Sequence, residues 1–345
     1  MIGVSFYLND PLAEQRLAAA GALGVRRAFT SLHLPEESGD LAGRARHLLQ
    51  LARELWIDVY ADVSHRTPAH LGIDGFADLA TLGVAGLRLD DCFEREEIIG
   101  LARQFKIALN ASTLPERELR ELLAAGLPAA QLIAWHNFYP RRETGLDEAF
   151  FRSQNELFRR QGIPVSAYVP GGGAKRGPLF ESLPTLEKHR GVDPFPAALE
   201  LFAAGVDDVY VGDPDPGPGV LERLVEWDQQ GVARLRMESA VWPPGDYPLR
   251  PDWARDVLRL MDTRTAASVP PRKTVARPRG TITMDNDLYG RYRGEVQITL
   301  RDLEADERVN GIGRIAAEDL PLLAWIRPGQ KLRLERAAEK PRPDF

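Results

Sequence analysis

The 345-residue sequence contains a single cysteine, Cys92, so no disulfide can form within the chain. A disulfide framework is thereby excluded, and one thiol is typical of a protein from a reducing compartment. No apolar run approaches the roughly 18 residues that a membrane-spanning helix needs. The first residues enter a predicted strand without the basic and apolar regions of a signal peptide. We therefore expect a cytoplasmic protein with no membrane partner.

An excess of charge of one sign is also lacking. The 44 lysines and arginines nearly balance the 50 acidic residues, which gives a net charge of −6. This balance argues against nucleic acid as a partner. Asp62, Asp90 and His136 are ligand types that suit Mg²⁺ or Zn²⁺, but no His-x-x-x-His or Cys-x-x-Cys spacing supports a metal site. We predict no metal and no cofactor, and the sequence leaves oligomerisation open.

The first two thirds of the chain repeat one pattern eight times: a short apolar segment, a polar burst and then an amphipathic helix. Glycines such as Gly24, Gly126, Gly162 and Gly231 follow the helices, as helix stops do. This pattern predicts an α/β fold, a (β/α)8 TIM barrel over residues 1–235. The apolar segments are residues 2–7, 25–29, 57–61, 86–89, 106–109, 132–135, 164–169 and 208–211.

The remaining residues, 236–345, differ from the first part in composition and hydrophobic pattern. A barrel of this type needs about 250 residues, so a chain of this length predicts a second, smaller domain. Proline-rich connectors and short alternating segments indicate β structure, with strands expected at 281–284, 295–300 and 331–335. We expect one helix at 253–261 and a turn at Asn310, Gly311 and Gly313.

Residues that follow the barrel strands converge on one mouth, where such barrels place their active sites. Several carboxylates occupy these positions, and we predict Asp62, Asp90 and Glu36 as catalytic candidates. Glycoside hydrolysis requires two carboxylates, one as acid and one as nucleophile or base, with a separation that sets the stereochemistry. The alternative for any one of them is a helix cap or an ion-pair partner, as Asp90 could be for Arg88.

Other polar residues of the mouth are candidates for substrate binding. His136 has the chemistry to bind a sugar hydroxyl or acetamido group or to transfer a proton, and Trp135 and Tyr139 flank it in a manner suited to stacking on a sugar. A buried histidine bonded to backbone is the competing interpretation. The predicted substrate-binding residues are His33, Arg88, Asn110, His136, Asn137, Tyr139, Glu143, Tyr168 and Asp213.

Two loops offer groups for an anion. A glycine-rich loop presents backbone N–H groups and an arginine adds a two-pronged donor, a combination that suits phosphate; a solvated, flexible loop is the alternative. The candidates are Arg141, Arg142, Lys175, Arg176, Gly171 and Gly172. A charged insertion at 181–190 is typical of a lid or specificity element, although its His189 and Arg190 could equally be surface residues.

At these residues the chain resembles the MupG-type 6-phospho-N-acetylmuramidase family. The resemblance lies in segments 29–36, 61–64, 86–90, 109–113, 136–140, 143–145, 176–178, 183–190 and 212–214. It implies a TIM barrel with a C-terminal cyclophilin-like domain. It also implies a cytoplasmic enzyme of peptidoglycan recycling that cleaves a glycoside of N-acetylmuramic acid 6-phosphate. The phosphate and the lactyl carboxylate of that sugar are the two anions that the basic residues above would bind.

Our leading hypothesis is hydrolysis of this phosphorylated amino-sugar glycoside by paired carboxylates. A different barrel chemistry on a phosphosugar, as in an epimerase or lyase, is the first alternative. The absence of a strand-end lysine suited to a Schiff base counts against an aldolase. A non-catalytic protein that binds a sugar phosphate is the second alternative.

Overall fold

The computed structural model of the chain describes residues 1–33, 41–89 and 93–337. The chain divides into two units, Met1–Val225 and Glu226–Phe345. The first unit contains a closed barrel of eight parallel strands, and the second contains a separate mixed sheet of seven strands. The predicted fold class, a (β/α)8 barrel followed by a smaller β-rich domain, is confirmed.

The barrel strands follow one another in chain order, and β8 closes the barrel against β1. Nearly every strand residue is buried, because the sheet is covered by side chains on both faces. Each predicted apolar segment overlaps one strand. The strands are β1 Ile2–Ser5, β2 Arg27–Ser31, β3 Asp58–Val63, β4 Val84–Leu89, β5 Lys106–Asn110, β6 Leu132–Trp135, β7 Val165–Val169 and β8 Asp208–Val211.

Helices connect these strands, and no helix in the described ranges is long and apolar enough to cross a membrane. The eightfold pattern predicted a helix after each strand; after β3 the structure has two helices of five residues each, α3 and α4, and α8 begins at Pro194 with Pro196 also in its first turn. Prolines are tolerated there because a first turn needs no N–H donor. The helices are α1 Ala13–Ala22, α2 Leu41–Glu54, α3 Thr67–Leu71, α4 Ala77–Thr81, α5 Arg95–Leu101, α6 Glu116–Ala124, α7 Glu148–Arg159, α8 Pro194–Ala203 and α9 Val220–Gln230.

Aromatic side chains fill the inside of the barrel. Trp135 lies at the centre, with its ring centroid 4.4 Å from that of Tyr210 and 5.4 Å from that of Tyr60. Two strand glycines make room for these rings: a Cβ on Gly3 would lie 2.4 Å from Tyr210, and one on Gly86 would lie 2.5 Å from Tyr60. The packed rings form the floor beneath the carboxyl ends of the strands.

The sheet of the second unit has the order β10-β15-β9-β14-β12-β13-β11. Its β15–β9 pair is parallel, whereas the other pairs are antiparallel. The strands are β9 Val232–Glu238, β10 Gly245–Pro248, β11 Val257–Arg259, β12 Thr281–Asp285, β13 Val296–Thr299, β14 Val309–Ile315 and β15 Lys331–Arg336.

Two predictions for this unit are wrong. The helix expected at 253–261 is absent, and Val257–Arg259 instead pairs with β13, with Leu258 buried. Asn310, Gly311 and Gly313 lie inside β14 rather than in a turn. The glycine is needed at 313 because a Cβ there would lie 2.6 Å from the Cβ of Ser239. Close approach of Ser239, directly after β9, therefore explains why a residue type that is common in turns occurs inside β14.

Candidate active site

A cleft of about 420 Å³ opens at the carboxyl ends of the barrel strands. This volume lies within the range of small-molecule sites. The sequence predicted His33, Asp62, Arg88, Asn137 and Arg176 of its lining but missed the apolar residues, which come from the loops after β6 and β7. The lining residues are Ser31, His33, Asp62, Arg88, Asn137, Phe138, Pro140, Arg176, Gly177, Pro178, Leu179 and Leu183.

Asp62, Arg88 and Asn137 form a hydrogen-bonded chain across this cleft. Asp62 and Arg88 are register partners on β3 and β4, so their side chains leave the sheet side by side. Arg88 Nη1 donates to Asp62 Oδ1 at 2.5 Å, and Arg88 Nη2 donates to Asn137 Oδ1. The Asp62 and Arg88 side chains are 9% and 7% exposed. The contact is a charge-assisted hydrogen bond between two largely buried groups.

The other two carboxylates predicted as catalytic, Glu36 and Asp90, lie outside the described residues. Asp62 is therefore the one of the three that lies within the described residues. Beside it, the half-buried His33 lines the cleft, and its Nδ1 lies 2.6 Å from Ser64 Oγ. This hydrogen bond fixes the imidazole ring at the edge of the cleft.

His136 does not lie in the cleft, contrary to the prediction that it contacts substrate. It is fully buried, with Nε2 2.8 Å from Asn155 Oδ1 and Nδ1 3.3 Å from Ser112 Oγ. Its ring packs against Phe151 of α7, with 4.5 Å between centroids. The Asn137 backbone N–H donates to the same Ser112 hydroxyl at 2.9 Å. His136 thus supports the segment that carries Asn137.

Trp135 is also fully buried, so the prediction that it stacks on a sugar is wrong. Successive strand side chains point to opposite faces: Trp135 enters the barrel interior, and His136 turns toward the helices. Tyr168 likewise belongs to the aromatic core, where burial raises the pKa of its hydroxyl. Asn110 is half-buried at the end of β5 and accepts a hydrogen bond from the Ser112 N–H at 3.1 Å. None of these four side chains lines the cleft.

Burial of His136 predicts a specific loss of stability in acid. Burial lowers the pKa of this imidazole from 6.5 to about 4, so below pH 6.5 the unfolded chain binds a proton that the folded one excludes. The free energy of unfolding should therefore fall by about 3 kcal/mol as the pH decreases from 6.5 to 4. Urea unfolding of wild type and His136→Gln at pH 7 and pH 4.5 isolates this contribution. Equal losses in the two proteins would contradict the assignment.

The glycine run after β7 does not offer free N–H groups to a phosphate. The Gly171 N–H donates to Asp213 Oδ2 at 2.9 Å, Gly172 donates to the Pro216 carbonyl at 2.7 Å, and Gly173 donates to the Asp215 carbonyl at 3.2 Å. A Cβ on Gly171 would lie 2.3 Å from the Asp215 carbonyl oxygen. The glycines are thus explained by close packing against the loop after β8, which corrects the predicted role of Gly171 and Gly172.

Asp213 organises the loop after β7 instead of facing substrate. Its buried carboxylate accepts hydrogen bonds from the Gly171 N–H, from Ser182 Oγ at 2.9 Å and from the backbone N–H groups of Leu183 and Arg176 at 3.3 and 3.2 Å. Lys175 Nζ lies 3.7 Å from the same carboxylate and also donates to the Gly171 carbonyl. The predicted substrate and anion contacts of Asp213 and Lys175 are therefore replaced by contacts within the protein.

Arg176 is the basic candidate that faces the cleft. Its guanidinium lies over the Tyr7 ring, 4.1 Å from the centroid, and 5.8 Å from the Phe138 centroid. No described carboxylate pairs with it. Stacking on a ring orients the guanidinium plane while leaving its N–H edge available. The side chain is thus arranged to bind an anion.

The remaining predicted residues lie in the loop after β6, outside the cleft lining. Arg141 and Arg142 are exposed, and Arg142 forms an ion pair with Glu181 at 3.1 Å. Glu143 is exposed with a positive φ of 69°, and its N–H donates to the Glu187 carboxylate. Tyr139 is half-buried, and its backbone carbonyl accepts from Arg190. Among the described residues, no group of three or more His, Cys, Asp or Glu side chains could hold a metal ion.

A closed (β/α)8 barrel with an aspartate–arginine pair and a stacked arginine in its mouth defines a barrel enzyme for a polar small molecule. Comparison with known families identifies it further. Residues 2–226 match the N-terminal model of 6-phospho-N-acetylmuramidase, and residues 236–335 match the C-terminal model. The chain belongs to the 6-phospho-N-acetylmuramidase family, and it is a glycosidase. The resemblance seen in the sequence is thereby confirmed.

Two solved structures are similar to the chain over nearly its whole length. A conserved protein of unknown function from Enterococcus faecalis is 37% identical, with a TM-score of 0.85 and coverage of 97% of this chain and 96% of that one. An uncharacterized B. cereus protein is 26% identical, with a TM-score of 0.77 and coverage of 97% and 99%. None of the curated proteins compared with the chain matches it.

Proposed function

We propose that this glycosidase hydrolyses a 6-phospho-N-acetylmuramyl glycoside in the cytoplasm, as a step of peptidoglycan recycling. One observation carries the proposal: Asp62, held by Arg88, and the stacked Arg176 line the same cleft. Asp62 supplies a carboxylate for attack at a sugar carbon, and Arg176 supplies a cation for a negatively charged substituent of that sugar.

Asp62 acts on the anomeric carbon, either as the nucleophile or as the base that activates water. Its pairing with Arg88 suits it to this role rather than to proton donation, because the donor must carry a proton at the start of the reaction. Asp90 or Glu36 then protonates the glycosidic oxygen of the leaving sugar. These two candidates are proposed from their positions after β4 and β2 in the sequence.

Arg176 binds the 6-phosphate, since a guanidinium fork matches two phosphate oxygens. Lys175 and the glycine N–H groups are engaged within the protein, and Arg142 is paired with Glu181. Arg141 follows Pro140, a residue of the cleft lining, and is our candidate for the lactyl carboxylate. Phe138 and Leu183 supply apolar surface for the sugar ring.

Turnover of matched substrates tests this function. The purified protein should release the fluorophore from 4-methylumbelliferyl 6-phospho-N-acetylmuramide, and much less from the same glycoside without phosphate. The configuration of the first-formed sugar, read by ¹H NMR, then decides the role of Asp62: retention indicates a nucleophile and inversion a base. Equal rates with and without phosphate would contradict the proposed substrate.

The two alternative functions have separate signatures in the same experiments. Exchange of a carbon-bound hydrogen with solvent, without glycoside cleavage, would indicate an epimerase or lyase. Tight binding of the sugar phosphate without turnover at any pH would indicate a binding protein. Either result would overturn hydrolysis as the function.

A further inference from the structure

Outside the cleft, a half-buried ion pair of Glu187 and Arg190 lies where two loops of the barrel mouth meet. A short 3₁₀ turn, Glu187–His189, brings the Glu187 carboxylate against the guanidinium of Arg190. Arg190 Nε lies 2.7 Å from Oε1, and Nη2 lies 2.8 Å from Oε2. The contact is therefore bidentate, and the Arg190 side chain is only 11% exposed.

The guanidinium joins two loops that the sequence separates by about 40 residues. We name residues 136–147 the β6 loop and residues 170–193 the β7 loop. Arg190 Nη2 donates to the carbonyls of Tyr139 and Arg141 in the β6 loop, at 2.9 and 3.1 Å. Nη1 donates to the carbonyls of Glu181 and Ser182 in the β7 loop, at 2.8 and 3.1 Å. With the two bonds to Glu187, all three guanidinium nitrogens are engaged.

The Glu187 carboxylate adds further hydrogen bonds between the two loops. Glu187 accepts hydrogen bonds from the backbone N–H groups of Glu143 and Gly145 in the β6 loop, at 2.9 and 2.8 Å. A Cβ on Gly145 would lie 2.6 Å from the Glu187 carboxylate. The β6 loop is thus shaped around this carboxylate, which also lies beside the left-handed backbone of Glu143 at φ 69°.

Both loops line the cleft: Asn137 and Phe138 belong to the β6 loop, and Arg176 and Leu183 belong to the β7 loop. We infer that the Glu187–Arg190 pair is a positioning device that fixes these two walls of the cleft relative to each other. Through the β6 loop the pair positions Asn137, which is hydrogen-bonded to Arg88 and through it to Asp62. Through the β7 loop it positions the segment that contains Arg176. This inference rests on the proposed function, because it takes the cleft as the site of hydrolysis.

Arginine is required at this position by geometry. Its five N–H groups serve six acceptors here, with one N–H of Nη2 shared, whereas a lysine has three donors on one nitrogen and no bidentate fit to a carboxylate. Arg190 also lowers the pKa of Glu187 to about 2, so the pair remains charged at every pH at which the enzyme is assayed. Loss of the pair should therefore change rates without changing the pH profile.

Arg190→Ala and Arg190→Lys test the inference, with Arg223→Ala as the matched control. Arg223 is also a partly buried arginine; it pairs with Asp193, the last residue of the β7 loop, and stacks on Phe195 of α8, away from the segments 137–146 and 176–183. We expect kcat/KM on the phosphorylated glycoside to fall about tenfold in Arg190→Ala, mainly through kcat, because small misplacements of reacting groups are costly. Lysine should not restore the rate, whereas millimolar guanidinium should restore part of it in Arg190→Ala.

Hydrogen–deuterium exchange gives a second readout that does not depend on turnover. Amides of segments 137–146 and 176–183 should exchange faster in Arg190→Ala than in wild type, and they should be unchanged in Arg223→Ala. If Arg190→Ala fails to fold, Glu187→Gln replaces it, with the same direction of change and a smaller size.

Two results would overturn the inference. In the first, Arg190→Ala exchanges its amides and turns over substrate at the same rates as wild type. In the second, Arg190→Ala and Arg223→Ala lose kcat equally, which would show a general effect on folding. If wild type itself does not hydrolyse the glycoside, the proposed function fails, whereas faster exchange confined to the two loops would still support the positioning device.

Discussion

Replacement of Asp62 by asparagine should lower kcat on the phosphorylated glycoside by about a hundred- to ten-thousandfold. Asparagine has nearly the same shape and keeps a hydrogen bond to Arg88, but it supplies no negative charge for attack at the anomeric carbon or for activation of water. KM should change little, because Arg176 and the apolar lining remain in place. Steady-state kinetics with the fluorogenic substrate measures both constants.

Asp208→Asn is the matched control for this variant. Asp208 is also a buried aspartate paired with an arginine, Arg27, but the pair lies at the amino ends of β8 and β2, away from the mouth. Removal of one charge from a buried pair destabilises a protein at either end of the barrel. Both variants should therefore unfold at lower temperature, and only Asp62→Asn should lose turnover. Full activity in Asp62→Asn would remove Asp62 from the mechanism.

The sequence predicted the barrel well because strands covered on both faces contain continuous apolar residues. It also predicted that Asp62 and Arg88 both lie in the mouth, since parallel strands end at one edge, but their pairing through the β3–β4 register came only from the structure. The second unit was predicted less well. Its β14 contains two glycines, and its β11 has only three residues, so neither has a clear strand pattern.

The direction of a side chain at a strand end could not be predicted. Trp135 and His136 are adjacent, and one enters the barrel interior while the other turns toward α7, so neither contacts the cleft. Which of two neighbours faces the mouth depends on where the strand ends, and an error of one residue reverses the assignment.

Hydrogen-bond partners that are distant in sequence, or that are backbone groups, could not be predicted either. The glycine run at 171–173 suggested a phosphate loop, but its N–H groups bond to Asp213, Asp215 and Pro216, about 40 residues later. The sequence left open whether Arg190 belongs to a lid element or to the surface, because four of its acceptors are carbonyl oxygens, which every residue has. The one local signal was the spacing of Glu187 and Arg190, three residues apart.

Arg176→Ala should lower kcat/KM on the phosphorylated glycoside by about 10- to 150-fold, which corresponds to the roughly 1.5–3 kcal/mol of a hydrogen bond to a charged group. The loss should appear mainly in KM, because the phosphate does not take part in bond cleavage. The glycoside without phosphate should be cleaved by wild type and variant at nearly equal rates. Arg176→Lys should recover only part of the loss, since an ammonium keeps the charge but not the fork or the stacking on Tyr7.

Arg223→Ala is the control for this variant as well, because the Arg223 guanidinium lies over the Phe195 ring at 4.3 Å, nearly the distance of Arg176 from Tyr7. It removes an equivalent stacked arginine that does not line the cleft, so it should leave the preference for phosphate unchanged. A phosphorylated glucosaminyl glycoside, which lacks the lactyl group, separates the two anions. If Arg176→Ala cleaves this substrate as fast as wild type and loses activity only when the lactyl group is present, Arg176 binds the carboxylate and another residue binds the phosphate.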